Sequence, residues 1–109
     1  MRTILTLAAV TVALSLAPAG ARAADYTLTL KNHRFTPSEI KVPANKRVKL
    51  TVINNDATPE EFDSDALKVE KVLSGKTKGV VRIGPLKAGR YPFTGEYHES
   101  TAKGVVIAE

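Results

Sequence analysis

Alternation of apolar and polar residues is the main signal in this chain beyond residue 25. Tyr26-Thr27-Leu28-Thr29-Leu30 puts every second side chain on one face, which predicts a strand with that face buried. Asn32 to Pro37 interrupts the alternation, and Ser38-Glu39-Ile40-Lys41-Val42 resumes it up to a turn at Pro43-Ala44-Asn45. From Lys46 to Asn54 the pattern is clearest, with Val48, Leu50 and Val52 on one side and charged or hydroxyl residues on the other. Asn54 to Pro59 reads as a loop that delivers Glu60-Glu61-Phe62. Asp65 to Leu73 suits either a short helix capped by Asp65 or a turn followed by a strand, and we expect the turn and strand. Val80 to Ile83, Arg90 to Thr94 and Gly104 to Ala108 supply further strands, separated by Gly and Pro turns.

The expectation is therefore an all-β Greek-key β-sandwich, or a small barrel, of about seven short strands with at most one short helix. No crossover helix separates the strands, so parallel α/β folds are excluded. Residues 1–23 differ in kind. Met1-Arg2, the apolar run Ile4 to Leu16 and Ala21-Arg22-Ala23 have the form of a signal peptide cleaved before Ala24. A short uncleaved anchor is the alternative. The run is shorter than the roughly 20 residues a spanning helix needs, so no membrane span is expected after cleavage. That leaves one domain, residues 24–109, expected in the periplasm.

Composition changes this picture in two ways. The chain has no cysteine, so no disulfide staples the domain, and its one methionine, Met1, leaves with the leader. The mature chain is then free of sulfur. Without Arg2 and Arg22 it carries 14 basic and 11 acidic residues, a net charge of +3. The basic residues are scattered with no aromatic-interleaved stripe, which argues against nucleic acid as a partner. Acidic residues bunch at Glu60, Glu61, Asp63, Asp65 and Glu70, a pattern shared by solvated turns and cation sites.

Three stretches in this order resemble the cupredoxin family. They are Phe35-Thr36-Pro37 with Ile40-Lys41-Val42-Pro43-Ala44, then Asn54 to Phe62, then Gly89-Arg90-Tyr91-Pro92-Phe93 through His98 to Gly104-Val105-Val106. By that resemblance Glu60 stands in the first histidine slot, Gly95 in the cysteine slot and His98 in the second histidine slot. The methionine slot falls near Thr101 or Ala102. One ligand in four is kept, and a blue-copper centre, which requires a thiolate, is excluded. Thr58-Pro59-Glu60-Glu61-Phe62, Leu67 to Val72 and Gly95-Glu96-Tyr97-His98 further resemble the cysteine-free cupredoxin component of bacterial periplasmic ferrous-iron uptake systems. That resemblance implies a periplasmic iron-binding protein and an inner-membrane iron permease as partners.

The expected metal site is His98 with Glu60 and Glu96, and His33 as a second imidazole if it reaches. Glu61, Glu99 and Tyr97 stand around it. If Phe62 faces the core, period-two alternation turns Glu60 inward and Glu61 outward. His98 could instead be a loop histidine serving a backbone hydrogen bond, and His33 reads more economically as a polar residue at a strand end. Asp63, Asp65 and Glu70 read as surface charges paired with Lys68 and Lys71. Oxygen and imidazole donors favour Fe(II) or Cu(II), with Mn(II) and Zn(II) also suited, over Cu(I). The expected function is handling or oxidising Fe(II) within a transport system rather than stand-alone catalysis. The contrasting expectation is a metal-free protein interaction module on a degenerate fold.

Overall fold

The computed structural model describes residues 24–109, and the expected signal peptide lies outside the described residues. Nine strands run in chain order: β1 (Ala24–Lys31), β2 (Arg34–Thr36), β3 (Glu39–Val42), β4 (Val48–Asn54), β5 (Glu60–Ser64), β6 (Val69–Leu73), β7 (Thr77–Ile83), β8 (Gly89–Gly95) and β9 (Lys103–Ala108). A 3-10 turn, Glu96–His98, follows β8 directly. They form two sheets, one ordered β2-β1-β4-β7 and the other β3-β9-β8-β5-β6. The pairs β1 with β4 and β3 with β9 are parallel, and the remaining pairs are antiparallel.

The all-β sandwich is as expected, with nine strands where about seven were foreseen. The two additions are β2 and β5. β2 is three residues long and lies between a turn and Pro37, too short for alternation to register. β5 alternates in burial, but two of its three buried residues, Glu60 and Ser64, are polar, so it carries no hydrophobic pattern. The ambiguous stretch after Asp65 resolves as a turn at residues 65–68 and strand β6.

Leu28 and Leu30 of β1 and Val48, Leu50 and Val52 of β4 meet Phe62, Phe93 and Val106 of the second sheet across the core. Near the loop end the filling becomes aromatic. Phe62 and Phe93 stack with centroids 5.0 Å apart, and Phe35 packs edge-on to both at 6.0 and 5.3 Å. Such offset and edge arrangements add to area burial. They also give the loops above a rigid floor.

Asn54 ends the inward stripe of β4 and fixes those loops. Its Nδ2 donates to the carbonyls of Thr58, Leu73 and Ser74, and its Oδ1 accepts from the Asp56 amide. The loop it holds, 55–59, lies so close over the next turn that a Cβ at Gly75 would come within 2.0 Å of the Ala57 carbonyl oxygen. Only glycine fits there. Among the described residues no helix is long and apolar enough to cross a membrane.

The aromatic floor gives a direct test. Phe93→Ala removes a ring that is 1% exposed and is expected to cost about 3–5 kcal/mol in chemical denaturation, whereas Val72→Thr, on the surface, should stay within about 0.5 kcal/mol.

Candidate metal centre

β5 carries Glu60, Phe62 and Ser64 inward and Glu61 and Asp63 outward, so one strand serves two surfaces. Glu60 is 1% exposed. A carboxylate buried this far needs its oxygens satisfied. Its Oε1 accepts from the backbone N–H of Tyr97 at 2.8 Å and of Glu61 at 3.0 Å. Its Oε2 lies 2.6 Å from His98 Nδ1.

The loop carrying His98 is closed on itself. The His98 carbonyl accepts from the amides of Thr101 and Ala102, and the Gly95 amide donates to the Ala102 carbonyl at 2.8 Å. Glu60 and Ala102 together fill the space beneath Gly95. A Cβ added at Gly95 would lie 2.6 Å from Glu60 Cδ, 2.8 Å from its Oε2 and 2.8 Å from Ala102 Cβ. Glycine at residue 95 is what lets the carboxylate stand there.

His33 reaches this site from the opposite sheet. Its ring stacks on that of His98, centroids 3.5 Å apart and planes 12° off parallel. Asn32 and His33 both have left-handed backbones, φ 54° and 58°, a region uncommon for residues other than glycine, though Asn and His enter it more readily than most. Asp56 holds them there, its Oδ1 accepting from the Asn32 amide at 2.7 Å and its Oδ2 from the His33 amide at 2.9 Å. Burial opposes ionisation of Asp56. The two amides and the adjacent His33 and His98 imidazoles outweigh it and hold the carboxyl below its ordinary range.

Of the residues anticipated from sequence, the structure brings Glu60, His98 and His33 together, with Tyr97 beside them through its amide. Tyr97's side chain is turned out, half exposed. Glu96, Glu61 and Glu99 stand elsewhere. Glu96 shares a hydrogen bond with Glu61, and that bond, the Glu61 charge and then Asp63 raise its pKa above the ordinary carboxylate value, with burial and Glu99 adding to the rise. Glu61, Asp63 and Glu70 place carboxylate oxygens within 4.8 Å of one another on the outer face. Asp63 Oδ1 is buried there without a partner. The lysine pairings expected for Asp63, Asp65 and Glu70 are not formed: among the described residues the one acid–base contact within 4.0 Å is Glu60 with His98. Strand register sets Asp63 opposite Glu70 and leaves Lys71 opposite Phe62. Asp56 was missed as a site residue. Its signal is the Asn-Asn-Asp run, whose side chains cap backbone amides.

The sequence profile of the cupredoxin-like domain matches residues 3–108. The chain belongs to the cupredoxin-like domain family. It is 36% identical over 83 residues, 76% of its length, to an uncharacterized protein of Rickettsia prowazekii, and spans 66% of that curated relative. Among solved structures it resembles the metal-binding domain of the Cu(I)-exporting P-type ATPase CopA of Streptococcus pneumoniae D39, with Cu(I) (TM-score 0.70, 14% identity, 78% of this chain and 84% of that one). It also resembles auracyanin A, a blue copper protein of Chloroflexus aurantiacus (TM-score 0.68, 14% identity, 81% and 100%). At these identities the likeness is one of fold.

A blue-copper ion does not fit the residues present. The chain has no cysteine, and the position resembling the cysteine slot, Gly95, has its side-chain space taken by Glu60 and Ala102. Gly95→Cys is therefore expected to lower the melting temperature and to develop no intense thiolate-to-copper absorption with Cu(II). A strong band in a variant as stable as the parent would contradict this packing.

Proposed function

We propose that this cupredoxin-like domain is a periplasmic carrier that takes a divalent metal ion as cargo at the His98 imidazole, against which His33 is stacked, with Fe(II) the ion handled and Cu(II) the main competitor. The observation that carries the reading is the buried Glu60 carboxylate held against His98 Nδ1 at 2.6 Å. Carboxylates that orient metal-binding imidazoles stand in this relation to them. His98 keeps a quarter of its side chain exposed, so an ion has access from solvent. Glu61, Asp63, Glu70, Glu96 and Glu99 add negative potential on the neighbouring face, which raises the local concentration of cations.

Imidazole and carboxylate donors without sulfur suit Fe(II), Cu(II), Mn(II) and Zn(II) better than Cu(I). Iron, and with it a periplasmic iron-binding protein and an inner-membrane permease as partners, rests on the resemblance of Thr58 to Phe62 and Gly95 to His98 to the iron-uptake component. Handover to such partners fits an open site better than an enclosed one. Where Fe(II) is oxidised during handover, Cu(II) is the proposed one-electron acceptor, so that Fe(II) and Cu(II) become Fe(III) and Cu(I).

A second reading, a metal-free interaction module, is favoured by Val72 and Tyr97, which are 56% and 50% exposed. Calorimetric titration with Fe(II) under anaerobic conditions, and with Cu(II), Mn(II) and Zn(II), separates the two. The informative variant is His98→Gln, which removes the imidazole yet retains an N–H donor for buried Glu60. It should bind at least about tenfold more weakly than the parent with its fold intact, and His33→Gln should weaken binding less. Equal affinity in His98→Gln would refute the site, and absence of binding in the parent would favour the interaction module.

A further inference from the structure

Glu60 does more than neutralise a neighbour: its two oxygens are addressed to different partners, and this sets the proton pattern on His98. Oε1 accepts two backbone N–H groups, from Tyr97 and Glu61. Oε2 is the oxygen left facing His98, 2.6 Å from Nδ1, where a carboxylate oxygen can only accept. A neutral imidazole that carries its proton on Nδ1 has its lone pair on Nε2.

From this we infer that Glu60 is a positioning residue that fixes the Nδ1–H tautomer of His98, so that a metal ion is taken at Nε2 and not at Nδ1, which Glu60 occupies. The inference rests on the proposed metal site and names its coordinating atom. The carboxylate has no room to leave its post. It is 1% exposed, and it lies under Gly95, where even a Cβ would meet it at 2.6 to 2.8 Å. An ion between Nδ1 and Oε2 would have to break this contact and push apart atoms now 2.6 Å from each other, because bonds of about 2.0–2.2 Å to each do not fit within it at ordinary coordination angles. The Nε2 side needs no such rearrangement.

Glu60→Gln turns the inference into a test without changing the shape of residue 60. The Tyr97 and Glu61 amides are donors, so they select the Gln carbonyl oxygen and direct its NH₂ toward His98. Nδ1 must then accept, the ring proton moves to Nε2, and the Nε2 lone pair is lost.

Long-range proton–nitrogen NMR of the metal-free protein at about pH 8.5, well above the ordinary histidine pKa of about 6.5, reads the tautomer directly. The parent should show His98 protonated on Nδ1, and Glu60→Gln should show it protonated on Nε2. Zn(II), a diamagnetic probe, should then shift Nε2 of the parent, with affinity at least about tenfold lower in Glu60→Gln. An Nε2–H tautomer in the parent, an unchanged tautomer in Glu60→Gln, or Zn(II) on Nδ1 would each overturn the inference. If Glu60→Gln fails to fold, the parent tautomer decides alone. A parent with the Nδ1–H tautomer whose imidazole nitrogens all ignore Zn(II) would support the positioning role and overturn the metal reading, so the two fail separately.

Discussion

A carboxylate sealed inside a β-sandwich must have its charge met by the protein, and the loop end of this domain is arranged around meeting that of Glu60. Two amides and one imidazole converge on it. One amide is that of the next residue in β5, and the other belongs to the turn after β8, so the carboxylate ties the two strands at the point where their ladder ends. Removing one partner of such a buried pair costs about 3–5 kcal/mol in typical cases. Gly95 and Ala102 are small because the carboxylate and the tight loop above it leave no volume for more. The space beside Gly95, which the resemblance makes the cysteine slot, is thus filled by Glu60 and Ala102 and is not a vacancy.

The second histidine comes to the site by a separate route. Asn54 ends a hydrophobic stripe and anchors loop 55–59, Asp56 on that loop captures the amides of Asn32 and His33, and the His33 ring is thereby laid on His98. Two left-handed residues are held in place by one carboxylate. Backbone strain retained beside a candidate ligand is a feature of functional sites. Both imidazoles are therefore set by carboxylates, one through its ring nitrogen and the other through its backbone.

Much of this is legible in the sequence. Alternation through Phe62 turns Glu60 inward, and the cadence of Gly89 to His98 resembles a cupredoxin strand and loop with Gly95 in the cysteine slot. What sequence hides is the direction of side chains in irregular segments. Glu96 lies two residues from His98, yet in a 3-10 turn of three residues per turn they point apart, and Glu96 joins Glu61 instead. β5 was hidden because its inward residues are mostly polar. The reach of His33 depends on Asp56, 23 residues away, and on parallel pairing of β1 with β4, neither of which leaves a local pattern.

The central claim is that Glu60 holds His98 through Nδ1 and leaves Nε2 to take the proposed cargo. Anomalous diffraction from crystals soaked in Zn(II) tests it most directly. The account predicts a peak about 2.0–2.1 Å from His98 Nε2, with Glu60 still on Nδ1. A peak between Nδ1 and Glu60, or one confined to Glu61, Asp63 and Glu70, would contradict it.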